Sequence, residues 1–225
     1  MRQFEAKDAE TYDFRIQRLV PGYDLMHGLG CRVLKSVLPD RARVLLAGVG
    51  TGKELAEMAE ACPFWRFVAV DPSSAMLDRA MMRARKAEFV DRVSFVESTI
   101  EDCEGLGEFE GATSYLVSHF LPDDGGKLKY FSALTKSLKK GGLLVCSDFF
   151  DTNEVMITKA YSEWLGDSFA DEEKAKQVMG HISRSFHPLN DERLSGLLGG
   201  LGMGLPQEYF SGLVYRGFFA SKSEG

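Results

Sequence analysis

No run of about eighteen apolar residues occurs anywhere in this chain, so no helix in it is built to span a bilayer. Cysteine is scarce. Cys31, Cys62, Cys103 and Cys146 stand far apart, with no CxxC pair and no Cys/His cluster, which argues against a structural zinc and against a disulfide framework. Bases are also short, at 27 Lys and Arg against 33 Asp and Glu, a net charge of −6. A protein that reads nucleic acid through its phosphates carries a basic footprint. Here Arg79, Arg83, Arg85 and Lys86, and later Lys136, Lys139 and Lys140, have the spacing of solvated helix faces, so a nucleic-acid partner is disfavoured. The opening residues Met1 to Asp8 lack the apolar centre of a signal peptide. A reduced, cytoplasmic home is the expectation. No carboxylate pair at ligand spacing points to a metal.

What the chain does have is 44% hydrophobic residues over 225 positions, enough for a full core in one domain. Strand and helix patterns alternate through its first two thirds. Strands are expected at Arg41–Ala47, Trp65–Val70, Arg92–Val96, Ala112–Val117 and Leu143–Phe150. Helices are expected over Thr51–Ala61, from an N-cap at Ser73 through Lys86, and over Lys127–Leu138. That rhythm predicts a parallel sheet with helices on both faces. It then changes: 151–187 reads as mainly helical, a helix follows at Asn190–Gly199, and two β-rich runs around Ser211-Gly212 signal a terminal hairpin. The expected fold is α/β, a doubly wound, mostly parallel seven-stranded sheet ending in an antiparallel hairpin. The N-terminal segment 1–40 and the insertion 151–187 are the pieces free to cover it.

The informative stretch is Leu46-Ala47-Gly48-Val49-Gly50-Thr51-Gly52-Lys53-Glu54. A P-loop needs GxxxxGK followed by Ser or Thr to hold magnesium, and here Glu54 follows Lys53 while Ala47 stands five before Gly52. A dinucleotide fold wants GxGxxG, and the third glycine falls on Lys53. That weakens a nicotinamide-dependent oxidoreductase without removing it, since an acid ending the second strand, Asp71, suits any adenosine ribose. The third pattern, GxGxG, is satisfied by Gly48, Gly50 and Gly52.

With that loop, an ordered series resembles the class I S-adenosylmethionine-dependent methyltransferases. Phe67 to Leu77, Val93 to Asp102, His119 to Asp123 and Leu138 to Leu144 resemble that family's later motifs in order. The resemblance implies S-adenosylmethionine as cofactor, held at Gly48, Val49, Gly50, Asp71, Pro72, Met76, Thr99, Ile100 and Tyr115. Two positions depart from the family: Leu46 replaces an acid that helps hold the cofactor's amino group, and Thr99 replaces one near the adenine. A non-catalytic cofactor-binding relative is therefore an alternative.

The segment Tyr12 to Asp24 narrows the resemblance to the carboxy-S-adenosylmethionine synthases and kindred small methyltransferases. It implies a cofactor contact at Tyr23, and a synthase-like role in tRNA modification is a further alternative. The synthases hold a carboxylate with an arginine whose matching position is Leu197, with Arg193 a turn earlier.

Methyl transfer needs alignment and exclusion of water, with a general base only where the acceptor must lose a proton. His119, just past the fourth strand, is the candidate base; packing beside Phe120 is the competing reading. His181, Arg184 and His187 are candidates for an acceptor pocket, with at least two of them expected at the surface. Tyr12, Phe14, Tyr161 and Trp164 point to an apolar or amphipathic small acceptor. A homodimer is the assembly expected if there is one.

Overall fold

The computed structural model describes residues 6–103 and 105–224. The first five residues of the expected N-terminal cover lie outside them. The chain opens with helices α1 (Ala6–Leu19) and α2 (Tyr23–Val37) and then winds as β1 (Arg43–Ala47), α3 (Lys53–Ala61), β2 (Arg66–Asp71), α4 (Ser74–Lys86), β3 (Val93–Glu97) and β4 (Phe109–Tyr115). It continues through α5 (Gly126–Ser137), β5 (Leu138–Phe149), α6 (Val155–Phe169), α7 (Glu172–Ser185) and α8 (Asp191–Gly200) to the hairpin β6 (Gln207–Gly212) and β7 (Tyr215–Ser221).

The seven strands form one sheet in the order β3-β2-β1-β4-β5-β7-β6, parallel except at β7, which runs antiparallel to both β5 and β6. Side chains alternate across a strand, so each one feeds two cores. Val44 and Leu46 of β1, with Phe67 and Ala69 of β2, join the core under α1–α4, α6 and α7. Leu45, Ala47, Val68 and Val70 face the other way, toward α5 and α8. Ser73 caps α4 by accepting a hydrogen bond from the Met76 amide, as its position before the helix predicts.

The hairpin differs in its turn. Ser211 and Gly212 stay in the ladder, opposite Arg216 and Tyr215, and the chain reverses one step later, where Leu213 takes a left-handed φ of 59°. The reason is register within the hairpin: a turn at Ser211-Gly212 would set Phe210 opposite Leu213, whereas the observed pairing sets it opposite Gly217, whose missing Cβ leaves room for the Tyr209 ring.

The insertion and the N-terminal segment meet over the carboxyl ends of the strands. The Trp164 indole donates to the Arg18 carbonyl, and the Tyr161 hydroxyl to that of Leu19. Among the described residues, no helix is long and apolar enough to cross a membrane.

Candidate active site

β1 stops at Ala47, and of the three glycines that follow, two have no room for a Cβ and one faces open space. At Gly48 a Cβ would lie 2.4 Å from Val117 Cγ2, and at Gly52 2.9 Å from Ala80 Cβ on α4. Both also hold left-handed φ angles. At Gly50 nothing lies within 4 Å of that position: the loop leaves open space there. The Gly50 amide donates to Asp71 Oδ2 at 2.9 Å, and the Ser73 amide to Oδ1 at 2.9 Å. Asp71 is buried at the end of β2, which raises its carboxyl above the usual range, and these two bonds offset part of that. Each oxygen keeps lone-pair capacity for a further donor.

These groups line a narrow crevice. Gly48, Gly50, Asp71, Pro72, Met76 and Tyr115 form its walls, closed by Tyr12 of α1, Leu116, Val117 and Phe120. A bare loop and an acid with spare acceptor capacity fit an adenosine ribose, so the site suits a nucleoside cofactor without a pyrophosphate.

A wider cavity of about 360 Å³ adjoins it. Tyr12, Leu116 and Phe120 line both, so they form the partition where the two spaces meet. Leu116 holds a left-handed φ of 58°, a costly conformation for a leucine, at the point where β4 leaves the sheet. The wide cavity is walled by α1, α7 and the loop after β4. His119 lies in that wall. Its ring sits 4.0 Å from each of the Phe120 and Phe186 rings, and its Nδ1 is hydrogen-bonded to Asp148 Oδ1.

Asp148, buried near the end of β5, also accepts from the Ser118 hydroxyl at 2.6 Å and the Phe149 amide at 2.8 Å. Burial opposes its charge, but His119 and these donors hold the carboxyl below the usual range. A carboxylate on Nδ1 fixes the tautomer and leaves Nε2, which has no partner among the described residues, as the acceptor nitrogen. This arrangement can accept a proton from a molecule in the wide cavity. The two readings of His119, packed against Phe120 and equipped as a base, are satisfied together.

The structure thus gathers Gly48, Gly50, Asp71, Pro72, Met76 and Tyr115 around the crevice and His119 beside it. Others stand apart. Val49 points into the core, and Thr99 donates its hydroxyl to Asp102. Ile100 is buried on the face toward α5. Tyr23 is buried against His27, at 4.6 Å between rings, and is absent from the walls of both spaces; His27 in turn meets Tyr115 at 4.5 Å. Tyr12, one helix earlier, lines both spaces.

His181 lines the wide cavity, whereas Arg184 and His187 are exposed and outside it. Sequence reasoning missed Asp148, whose signal was a lone acid just past the apolar run Leu143 to Cys146. It also missed Glu54. That side chain is buried with Oε1 unpartnered, and burial, helped by Asp71 and Glu57, pushes its carboxyl up to about 8.

Residues 44–142 match the model of a methyltransferase domain. With the sheet order described above, this match and the solved structures below give the chain the Rossmann-like fold of the class I methyltransferases.

Among curated proteins it is similar to the carboxy-S-adenosyl-L-methionine synthase of Nautilia profundicola, 27% identical over 157 residues, or 70% of this chain and 65% of that one. The synthase of Campylobacter concisus is 26% identical over 164 residues, covering 72% and 68% of the two chains. Among solved structures it resembles the 1,6-didemethyltoxoflavin-N1-methyltransferase of Burkholderia thailandensis, which was solved with 1,6-didemethyltoxoflavin and S-adenosylhomocysteine bound. The TM-score is 0.66 at 19% identity, over 97% of this chain and 87% of that one. The match spans just under two thirds of the Nautilia protein's length.

Proposed function

We propose that this chain transfers a methyl group from S-adenosylmethionine to a small-molecule acceptor seated in the wide cavity, with His119 as general base. The carrying observation is the shared partition: Tyr12, Leu116 and Phe120 border both spaces, so a methyl group at the end of the crevice faces the cavity that His119 lines. When bound, the cofactor supplies an electrophilic methyl on a sulfonium.

The chain's own residues do the rest. Asp71 accepts hydrogen bonds from the ribose hydroxyls, and the open face of Gly50 lets the ligand approach the loop. His119 Nε2 takes the acceptor's proton as the acceptor atom bonds to the methyl carbon and the carbon–sulfur bond breaks. Asp148 stabilises the resulting imidazolium, as a buried carboxylate on Nδ1 should. The aromatic walls and the cover of α1, α6 and α7 exclude water.

Calorimetry with S-adenosylhomocysteine and with NAD tests the cofactor assignment, and labelled-methyl transfer to a panel of small hydroxylated and aminated molecules, with bulk tRNA beside them, tests the acceptor class. Tight NAD binding without a response to S-adenosylhomocysteine would overturn the proposal in favour of an oxidoreductase. Cofactor binding without turnover on any acceptor would favour a non-catalytic relative.

A second reading, carboxy-S-adenosylmethionine synthesis, draws on the curated relatives. Against it, Leu197 is buried in the core, and Arg193 makes a bidentate pair with Asp123 at 2.6 and 2.7 Å, away from both spaces. Both cavities are lined by one chain, so the proposal needs no second copy; a homodimer is a separate expectation for sedimentation to test. We place the protein in the reduced cytoplasm, in keeping with its four free cysteines.

A further inference from the structure

The wide cavity is polar at two separate places. At one, His119 stands with His181 nearby, both in contact with the Phe186 ring, at 4.0 and 6.4 Å between centroids. At the other, the Lys174 ammonium lies 5.2 Å from the centre of the Phe169 ring. Lys174, Val178 and His181 follow one face of α7, at positions 174, 178 and 181. At the helical rise of 1.5 Å per residue, Lys174 and His181 are about 10 Å apart, and between them lies a mainly apolar belt of Val178, Ile182, Phe169 and Phe186, with the Gln177 amide beside it. Arg15 adds a second basic side chain to the lining, and among the described residues no Asp or Glu lines it. Asp148 stands behind the His119 ring, its oxygens engaged by His119, Ser118 and Phe149. In a chain of net charge −6, a cavity lined by bases without acids selects the sign of its ligand.

We infer that the methyl acceptor is an aromatic or similarly flat molecule carrying an ionisable hydroxyl at one end and an anionic group, such as a carboxylate, at the other. The hydroxyl meets His119, the body lies in the apolar belt, and the anion meets Lys174 at the mouth. The inference rests on the proposed methyl transfer for its orientation, but it is tested by binding alone.

The probes are para-hydroxycinnamic acid and its methyl ester, titrated calorimetrically into protein saturated with S-adenosylhomocysteine, at low and at physiological salt. The expected result is at least about tenfold tighter binding of the acid, narrowing as salt rises because the pairing at the mouth is exposed to screening. Lys174→Met, at an exposed position, should bring acid and ester within about threefold, and Lys174→Arg should restore the preference. Equal affinity of acid and ester in the parent protein overturns the inference. So does a preference that survives Lys174→Met, or an absence of binding by both probes. If the acid binds with this pattern yet accepts no methyl group, the ligand class stands and the proposed reaction fails.

Discussion

His119 presents its imidazole to the cavity with Nδ1 already committed to Asp148, so the two residues fail in different ways when altered. His119→Asn removes the proton acceptor and should lower turnover about 10²–10⁴-fold while sparing cofactor affinity. Asp148→Asn keeps the volume but no longer dictates the tautomer, so turnover should fall while the cofactor dissociation constant holds. Steady-state rates set beside calorimetric affinities separate the two effects. Full activity in His119→Asn would leave the residue a packing group only.

Asp71→Ala should weaken S-adenosylhomocysteine binding by about 1.5–3 kcal/mol, the range for hydrogen bonds to a charged group. Because burial raises the Asp71 carboxyl and the ionised form is the better acceptor, affinity should be lost on acidification sooner than for an ordinary aspartate.

Glu54 makes the opposite demand on pH. Its carboxyl sits near 8 when folded and near the usual 4.5 when unfolded, so the folded state holds the extra proton between these values. Its contribution to stability is present below about 4.5 and is lost as pH rises toward 8. Glu54→Gln should therefore raise the melting temperature on the alkaline side and flatten its fall with pH, a gain on the order of a few kcal/mol at most. A variant that melts in parallel with the parent at every pH would place the Glu54 charge in contact with water.

At the scale of elements, the contact between α3 and α4 depends on the absence of one atom. Gly52→Ala would set a Cβ 2.9 Å from Ala80 Cβ and 3.1 Å from its Cα, on a backbone already at φ 79°. Both the overpacking and the strained φ destabilise, by about 1–3 kcal/mol each. Urea denaturation of this variant should show the midpoint shifted down with the slope unchanged; an unchanged midpoint would mean the two helices can separate without cost.

This contact also explains why the loop was legible in the sequence. Glycines forced by sterics or by a left-handed φ leave a spacing that can be read, and an acid closing an apolar strand leaves another, so Gly48, Gly50, Gly52 and Asp71 were within reach. The alternation of β1 to β5 with helices was legible for a similar reason, since strands buried on both faces read as continuous apolar runs.

Partnerships across the sheet were not legible. Asp148 and His119 are 29 residues apart and meet only because β5 pairs with β4. Tyr12 and Tyr23 both follow helical spacing, and nothing local says which helix lies over the crevice. The hairpin turn was misplaced for a related reason: Ser211-Gly212 has the stronger local turn chemistry, yet the packing of Tyr209 against the bare Gly217 across the hairpin goes with a turn one step later.

At the scale of the whole molecule, the crevice encloses only about 60 Å³, far less than the 300 Å³ or more that a ligand of cofactor size usually occupies. Tyr12 forms one of its walls, so α1 must shift for the cofactor to enter. The helix is held by Asp13, which accepts from the Thr51 hydroxyl in the glycine loop and pairs with Arg83 on α4. At its other end the Arg18 and Leu19 carbonyls receive Trp164 and Tyr161 of α6. Asp13 thus ties the cover to the loop that meets the ligand, and it is the tie that entry should break.

Asp13→Ala should loosen α1 without touching the sheet. Hydrogen exchange is expected to speed up over residues 9–19 in the free protein and to stay unchanged in β1, β2 and β4. Cofactor association should quicken, because opening is easier, and dissociation should quicken more, because the closed form has lost its clasp, so affinity falls. S-adenosylhomocysteine should restore protection across α1 in the parent protein and only partly in the variant. If α1 exchanges identically with and without ligand, Tyr12 is a fixed wall, and the cofactor must enter from the side of Met76 and Pro72 instead.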